Sequence, residues 1–175
     1  MNRLVAGLAL AMLTGPAMSA PPEPQGYRGE PYRAPVPATL TGATVLDLGR
    51  LEDWRNRGAV LIDVMPQVRK PDSLPEGTLW RQPAHYTIPG AVWLPDTGYD
   101  RLAPQVEAAF FASLDRLTQG DRTAPLVFFC KADCWMSWNA AKRAVRRGHA
   151  RVGWFPDGAD AWLAEGGDLV AATPP

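Results

Sequence analysis

The chain has 175 residues, enough for one domain, with Lys+Arg 18 balanced by Asp+Glu 18. That balance argues against a general nucleic-acid binder, which carries a basic excess. Two cysteines cannot staple a small scaffold, and two histidines, His85 and His149, offer few ligands for a transition metal.

Residues 1–19 have the layout of a secretory signal peptide: Arg3, an apolar run from Leu4 to Leu13, then small residues around Ala17 and Ser19. The run is too short to span a hydrocarbon core of ~30 Å. Cleavage is expected after Ser19, leaving a mature protein with no membrane insertion, exported to the periplasm if bacterial. An oxidising compartment makes a disulfide a real option for the cysteines. Residues 20–42 carry prolines 21, 22, 24, 31, 35 and 37. This spacing blocks helix and sheet ladders, so an extended linker or surface strap is expected, with Tyr27 and Tyr32 available to pin it.

Periodic structure is predicted across residues 43–172, with residues 173–175 a tail. Asp47–Arg57 reads as a helix stopped by Gly58, and Ala59–Met65 as a buried strand. Pro66 to His85 is irregular. Ala91–Leu94 is a short strand, Pro104–Thr118 a helix with proline in its first turn, and Pro125–Phe129 a buried strand. Ser137–Arg147 is a helix with Ser137 as its expected N-cap. Arg151–Trp154 is a strand, Ala159–Glu165 a short helix, and Asp168–Ala171 a possible edge strand. Apolar strands alternating with helices imply an α/β fold. Its central, mostly parallel sheet has four or five strands, with helices on both faces. Ligands in such sheets sit beyond the carboxyl ends of the strands.

The most informative stretch is Phe128-Phe-Cys130-Lys-Ala-Asp-Cys134-Trp-Met-Ser137-Trp-Asn. Cys130 follows a buried strand and faces the start of a helix. The unpaired N–H groups and positive end of that helix favour an anion, and so a thiolate or persulfide. Backbone N–H groups of Lys131, Ala132, Asp133, Trp135, Met136 and Ser137 are the expected anion-binding loop. Lys131 adds positive potential that Asp133 partly offsets. Cys134 is placed to resolve a sulfenate or persulfide on Cys130, or to close a disulfide with it. Two inert cysteines, or a stapled loop with no turnover, fit the same residues. Two thiolates leave a metal short of two ligands, so no metal is expected. Trp135 and Trp138 either stack on a flat ligand such as a quinone or pack the loop. Arg69, Lys70 and Arg81 lie in the long irregular insert, where they can meet an anionic substrate if the insert forms a lid. Lys142, Arg143, Arg146, Arg147 and Arg151 cluster near a helix end, suiting its dipole or an acidic partner.

Leu61-Ile-Asp63-Val64, then His85-Tyr-Thr-Ile-Pro89-Gly-Ala91 and Leu94-Pro95, then the cysteine segment, then Val152-Gly-Trp-Phe-Pro-Asp-Gly158-Ala-Asp-Ala-Trp162, resemble the rhodanese-like domain family in this order. The resemblance implies Cys130 as the reactive cysteine and possible sulfurtransferase or thiol redox activity. It also gives Asp63 and His85 supporting positions. The segment FFCKADCWMSWNAAKR resembles rhodanese-like proteins named for a CXXCW motif and associated with PQQ-dependent catabolism, although three residues separate the cysteines here. That resemblance implies no intrinsic cofactor. It implies instead an accessory role beside a quinoprotein dehydrogenase or periplasmic redox protein, with a small sulfur compound or quinone as ligand. The alternative is a binding module for a redox cofactor or partner, with Cys130–Cys134 as a fixed disulfide. Phosphatase relatives of this fold need an arginine in the loop, and the first one here is Arg143, inside the helix.

Overall fold

A computed structural model of the protein describes residues 20–175. The expected signal peptide lies outside them. Five parallel strands form the main sheet: β1 (Thr44–Val45), β2 (Val60–Asp63), β4 (Val92–Trp93), β5 (Leu126–Phe129) and β6 (Val152–Phe155), in the order β1-β6-β5-β2-β4. The helices are α1 (Leu48–Asn56), α2 (Pro104–Thr118), α3 (Trp135–Arg146) and α4 (Gly158–Ala164). Strand β3 (His85–Thr87) pairs antiparallel with β7 (Val170–Ala172) as a separate two-stranded sheet. The last strand is therefore not an edge of the main sheet, and His85 belongs to a strand rather than to the irregular insert.

The period of two along each strand divides the interior into two cores. Ile62, Leu126, Phe128, Val152 and Trp154 face one side, against Phe110 and Leu114 of α2 and Trp138, Ala141 and Ala144 of α3. Leu61, Val127, Phe129 and Phe155 face the other, against Leu51 of α1 and Ala159 of α4. Buried on both faces, β5 has room for no polar residue, which explains its unbroken LVFF run. Gly153 of β6 is required by packing: a Cβ there would lie 2.7 Å from Leu46 Cδ1. Cys130 continues the parity of Leu126 and Phe128 and so falls on the α3 side.

The proline-rich stretch is a strap laid along α3. Asn139, fully buried, clasps it from both sides: its side-chain oxygen accepts from Arg28 N–H at 2.9 Å and its amide donates to Arg28 C=O at 2.9 Å. Lys142 Nζ donates to Pro24 C=O at 2.6 Å and Arg146 to Gln25 C=O at 2.5 Å. Tyr27 lies under the guanidinium of Arg143, 4.1 Å from its ring centroid. Arg143 is itself buried and reaches Thr97 and Asp100 carbonyls at 3.4 and 2.8 Å. Much of the basic cluster thus holds the strap, and Arg147 stacks on Phe111. Arg146, Arg147 and Arg151 remain exposed.

Candidate functional site

β5 ends at Phe129, and the chain turns through residues 130–134 into α3. The N-cap of α3 is Cys134, in extended conformation, with no side-chain capping bond. The helix starts two residues earlier than the sequence suggests, because Trp135 and Met136 are themselves buried helical residues. Ser137 is therefore not the cap. Its hydroxyl donates back to Cys134 C=O at 3.0 Å and accepts from Trp154 Nε1 at 3.0 Å. This bond to the preceding turn frees Ser137 from capping and ties α3 to β6.

Cys130 and Cys134 form a disulfide, with Cα atoms 6.2 Å apart. Cys130 has 0% exposure and Cys134 3%. Both nevertheless line a cavity of about 260 Å³ with Tyr32, Arg33, Met65, Pro66, Lys131 and Met136. Met65 Sδ lies 3.1 Å from Cys130 Sγ. A second cavity of about 250 Å³ sits beside the first, sharing Met65 and Lys131 and adding Asp63, His85 and Asp160.

The loop does not present a free ring of N–H groups to Cys130. Ala132 N–H donates to Asp160 Oδ2 at 3.1 Å, and Trp135 N–H donates to Tyr32 C=O at 2.9 Å. An internal carboxylate and a strap carbonyl already occupy two positions of the expected anion cradle. Asp133 takes a left-handed conformation, φ 52°, which Asp tolerates better than most residues. Its carbonyl accepts from Ala34 N–H at 3.0 Å, so its part in the loop is to seat the strap.

Both tryptophans hold the strap as well. Trp135 Nε1 donates to Pro35 C=O and Trp138 Nε1 to Thr39 C=O, each at 3.1 Å. Their rings meet edge to face with centroids 5.4 Å apart, and Lys142 Nζ lies 4.3 Å from the Trp138 ring centroid. Both indoles are buried, and neither lines the cavity beside the disulfide.

Asp63, at the end of β2, is buried and fully engaged. It accepts from Met65 N–H at 2.8 Å, from Thr87 Oγ1 at 2.6 Å, and meets His85 Nε2 at 2.7 Å. His85 stacks on Trp93 with ring centroids 4.1 Å apart, and Trp93 Nε1 donates to Met65 C=O at 2.7 Å. This network fixes both polar backbone groups of Met65, the residue whose sulfur touches Cys130. Asp63 and His85 are thus linked to the disulfide through Met65 rather than by contact.

The insert does not cover the cavities with its cations. Arg69 reaches Asp96 at 3.4 Å, Lys70 donates to Thr78 C=O at 3.1 Å, and Arg81 is exposed. None of the three lines either cavity beside the disulfide. No cluster of three or more His, Cys, Asp or Glu fit for a metal occurs among the described residues. No helix among them is long and apolar enough to cross a membrane.

Sequence reasoning named Tyr32 as a pin for the strap but not as part of the cavity wall, and it missed Arg33, Met65 and Asp160. Met65 had a signal: in-register pairing of Asp63 with Phe129 puts the residues after β2 beside Cys130. The strap residues had none, because an extended proline-rich segment has no periodicity to tell where it docks. Tyr32 is anchored by its hydroxyl on Asp100 and by an edge contact with Tyr99, ring centroids 5.3 Å apart. Burial and the Asp100 carboxylate push its phenol up to about 12, so it stays neutral.

The family model described as the rhodanese-like domain matches residues 47–165. The chain belongs to the rhodanese-like family. This rhodanese-like domain is similar to a polysulfide-sulfur transferase homodimer from Wolinella succinogenes. The two share 21% identity over 74% of this chain and 79% of that one, with a TM-score of 0.46. It is also similar to an uncharacterized protein from Saccharomyces cerevisiae, at 18% identity over 71% and 93% and a TM-score of 0.41. An EanB variant in complex with hercynine matches at 19% identity over 81% of this chain and 34% of that one, TM-score 0.49. No curated protein matches the chain.

Proposed function

We propose that this rhodanese-like protein is a dithiol–disulfide sulfur carrier of an oxidising compartment, the periplasm, serving as an accessory to quinoprotein alcohol oxidation. The observation that carries the chemical part is the Cys130–Cys134 disulfide, which joins the end of β5 to the N-cap of α3 on the wall of a cavity. The signal-peptide layout and the cysteine–tryptophan segment support the compartment and the quinoprotein association.

In the reduced protein, Cys130 thiolate attacks a sulfane sulfur donor. One S–S bond breaks in the donor and one forms on Cys130, giving a persulfide. Cys134 thiolate then attacks Cys130 Sγ, forming the disulfide and expelling hydrosulfide. The dithiol loses two electrons and the sulfane sulfur gains them. A thiol reductant resets the pair by two successive exchanges and leaves as its own disulfide. Cys134 suits the resolving role, since an N-cap thiolate faces the positive end of α3.

The test is mass spectrometry of Cys134→Ser and of wild type, each reduced and then offered thiosulfate or polysulfide. Cys134→Ser is expected to keep one extra sulfur atom on Cys130. Wild type is expected to return to the disulfide with one hydrosulfide released per chain. The near-complete burial of both sulfurs favours a second reading, a binding module with a structural disulfide. A pair that resists mild reduction, with no adduct on Cys134→Ser, would establish that reading instead.

A further inference from the structure

The cavity beside the disulfide has an unusual charge pattern. Six of its eight lining residues are uncharged: the two cysteines, Met65, Met136, Pro66 and Tyr32. The other two, Arg33 and Lys131, are both cations and both exposed. Among the described residues neither side chain has a salt bridge, and neither makes a side-chain hydrogen bond. The adjoining cavity has two acidic residues, both engaged: Asp160 by Ala132 N–H, and Asp63 by Met65 N–H, Thr87 and His85.

Arg33 is held there by backbone bonding. It forms an isolated antiparallel bridge with Cys134, flanked by Ala34 N–H to Asp133 C=O and Trp135 N–H to Tyr32 C=O. These bonds lock the strap in register with the second cysteine. The loop itself supplies no arginine, so the strap brings one in from far along the chain.

We propose that Arg33 and Lys131 form a cationic mouth that selects an anionic thiol as the reductant of the Cys130–Cys134 disulfide. The proposal rests on the reading of the pair as a working dithiol–disulfide. Two positive charges at an opening with apolar walls concentrate the field at the cavity that the sulfurs line, and raise the local concentration of an anion. The neutral phenol of Tyr32 adds no opposing charge. In the step itself, the incoming thiolate attacks one sulfur of the pair, whose S–S bond breaks as a mixed disulfide forms. A second thiolate of the same reductant displaces the protein thiolate. The protein gains two electrons and the reductant leaves as a symmetric disulfide. Arg33 touches neither sulfur in this scheme; it is a specificity residue.

The experiment measures the rate of disulfide reduction in the full chain by three small thiols of similar size. They are mercaptoethanesulfonate (anionic), mercaptoethanol (neutral) and cysteamine (cationic), each normalised to its rate on a small neutral disulfide. The anionic reagent is expected to exceed the cationic one by about tenfold at low salt. The ratio is expected to fall towards unity near ~1 M salt, where the Debye length is ~3 Å. Arg33→Glu with Lys131→Glu should invert the ratio, and Arg33→Lys should preserve it. The mercaptoethanol rate should stay within about twofold in every variant, which separates charge selection from disturbed packing. Equal ratios in wild type and the double variant, with mercaptoethanol still reducing both, would overturn the cationic mouth and leave the dithiol reading standing. A pair that none of the three thiols reduces would overturn both.

Discussion

Asp63 carries more hydrogen bonds than any other carboxylate near the disulfide, and its surroundings define what it does. Three donors converge on it, from Met65, Thr87 and His85, at 2.6 to 2.8 Å, and it is 1% exposed. Removing a buried acceptor strands its donors, at about 1–3 kcal/mol for each group left unsatisfied. Asp63→Ala is therefore expected to cost about 3 kcal/mol or more in urea unfolding. Asp63→Asn should cost much less. Its carbonyl oxygen still accepts from Met65 N–H, and its amide donates to the Thr87 hydroxyl or to His85 as acceptor. Equal losses in the two variants would mean that the negative charge, rather than the hydrogen bonding, holds the Met65 turn in place.

At the scale of elements, the site depends on how closely α4 approaches the end of β5. Gly158 opens α4 with φ 55°, and a Cβ there would lie 2.4 Å from the Cys130 carbonyl oxygen. Ala159 N–H donates to that same oxygen at 2.9 Å. Gly158→Ala is expected to lower stability by more than ~1 kcal/mol, since it adds a clash to an unfavourable φ. It should also speed reduction of the disulfide by a neutral thiol, because the atoms it clashes with belong to the Cys130–Lys131 turn. A variant with unchanged stability would show that this contact is not tight in solution. The sequence makes such an element order legible, as apolar runs alternating with helical spacing fix β2, β5, β6 and the intervening helices. The cysteine segment is legible for the same reason, since Cys130 ends a run that only a buried parallel strand explains. What escapes is set by long-range pairing. The β3–β7 pair and the docked strap owe their conformation to partners distant in the chain. The start of α3 escapes for a different reason: Trp135 and Met136 read as loop until burial against the strap and core makes them helical.

Across the whole molecule, most of the contacts that hold the two cores and the strap do not pass through the sulfur–sulfur bond, although both cysteines sit in one core and the strap pairs with Cys134. The cores are closed by residues of α1, α2, α3 and α4 on opposite faces of the sheet. The strap is held along α3 by Asn139, Trp138, Lys142 and Arg146 as well as at the cysteine loop. The disulfide spans a sequence separation of only 4, so it restricts a very short loop in the unfolded chain. Loop-closure entropy for a loop of that size amounts to about 2 kcal/mol. Domains carry ~5–15 kcal/mol in total, so the reduced protein is expected to remain folded, with about 2 kcal/mol less stability and an unchanged dependence on denaturant. The released thiols stay buried as small apolar groups and add no charge to the interior while protonated. Urea titration with and without a phosphine reductant measures the difference. Amide exchange should quicken mainly at residues 32–34 and 131–135, where the strap meets the cysteine loop. Loss of cooperative unfolding on reduction would mean that the bond is a structural staple. A fall confined to about 2 kcal/mol, with faster exchange only along that seam, is what a pair that opens and closes during its work requires.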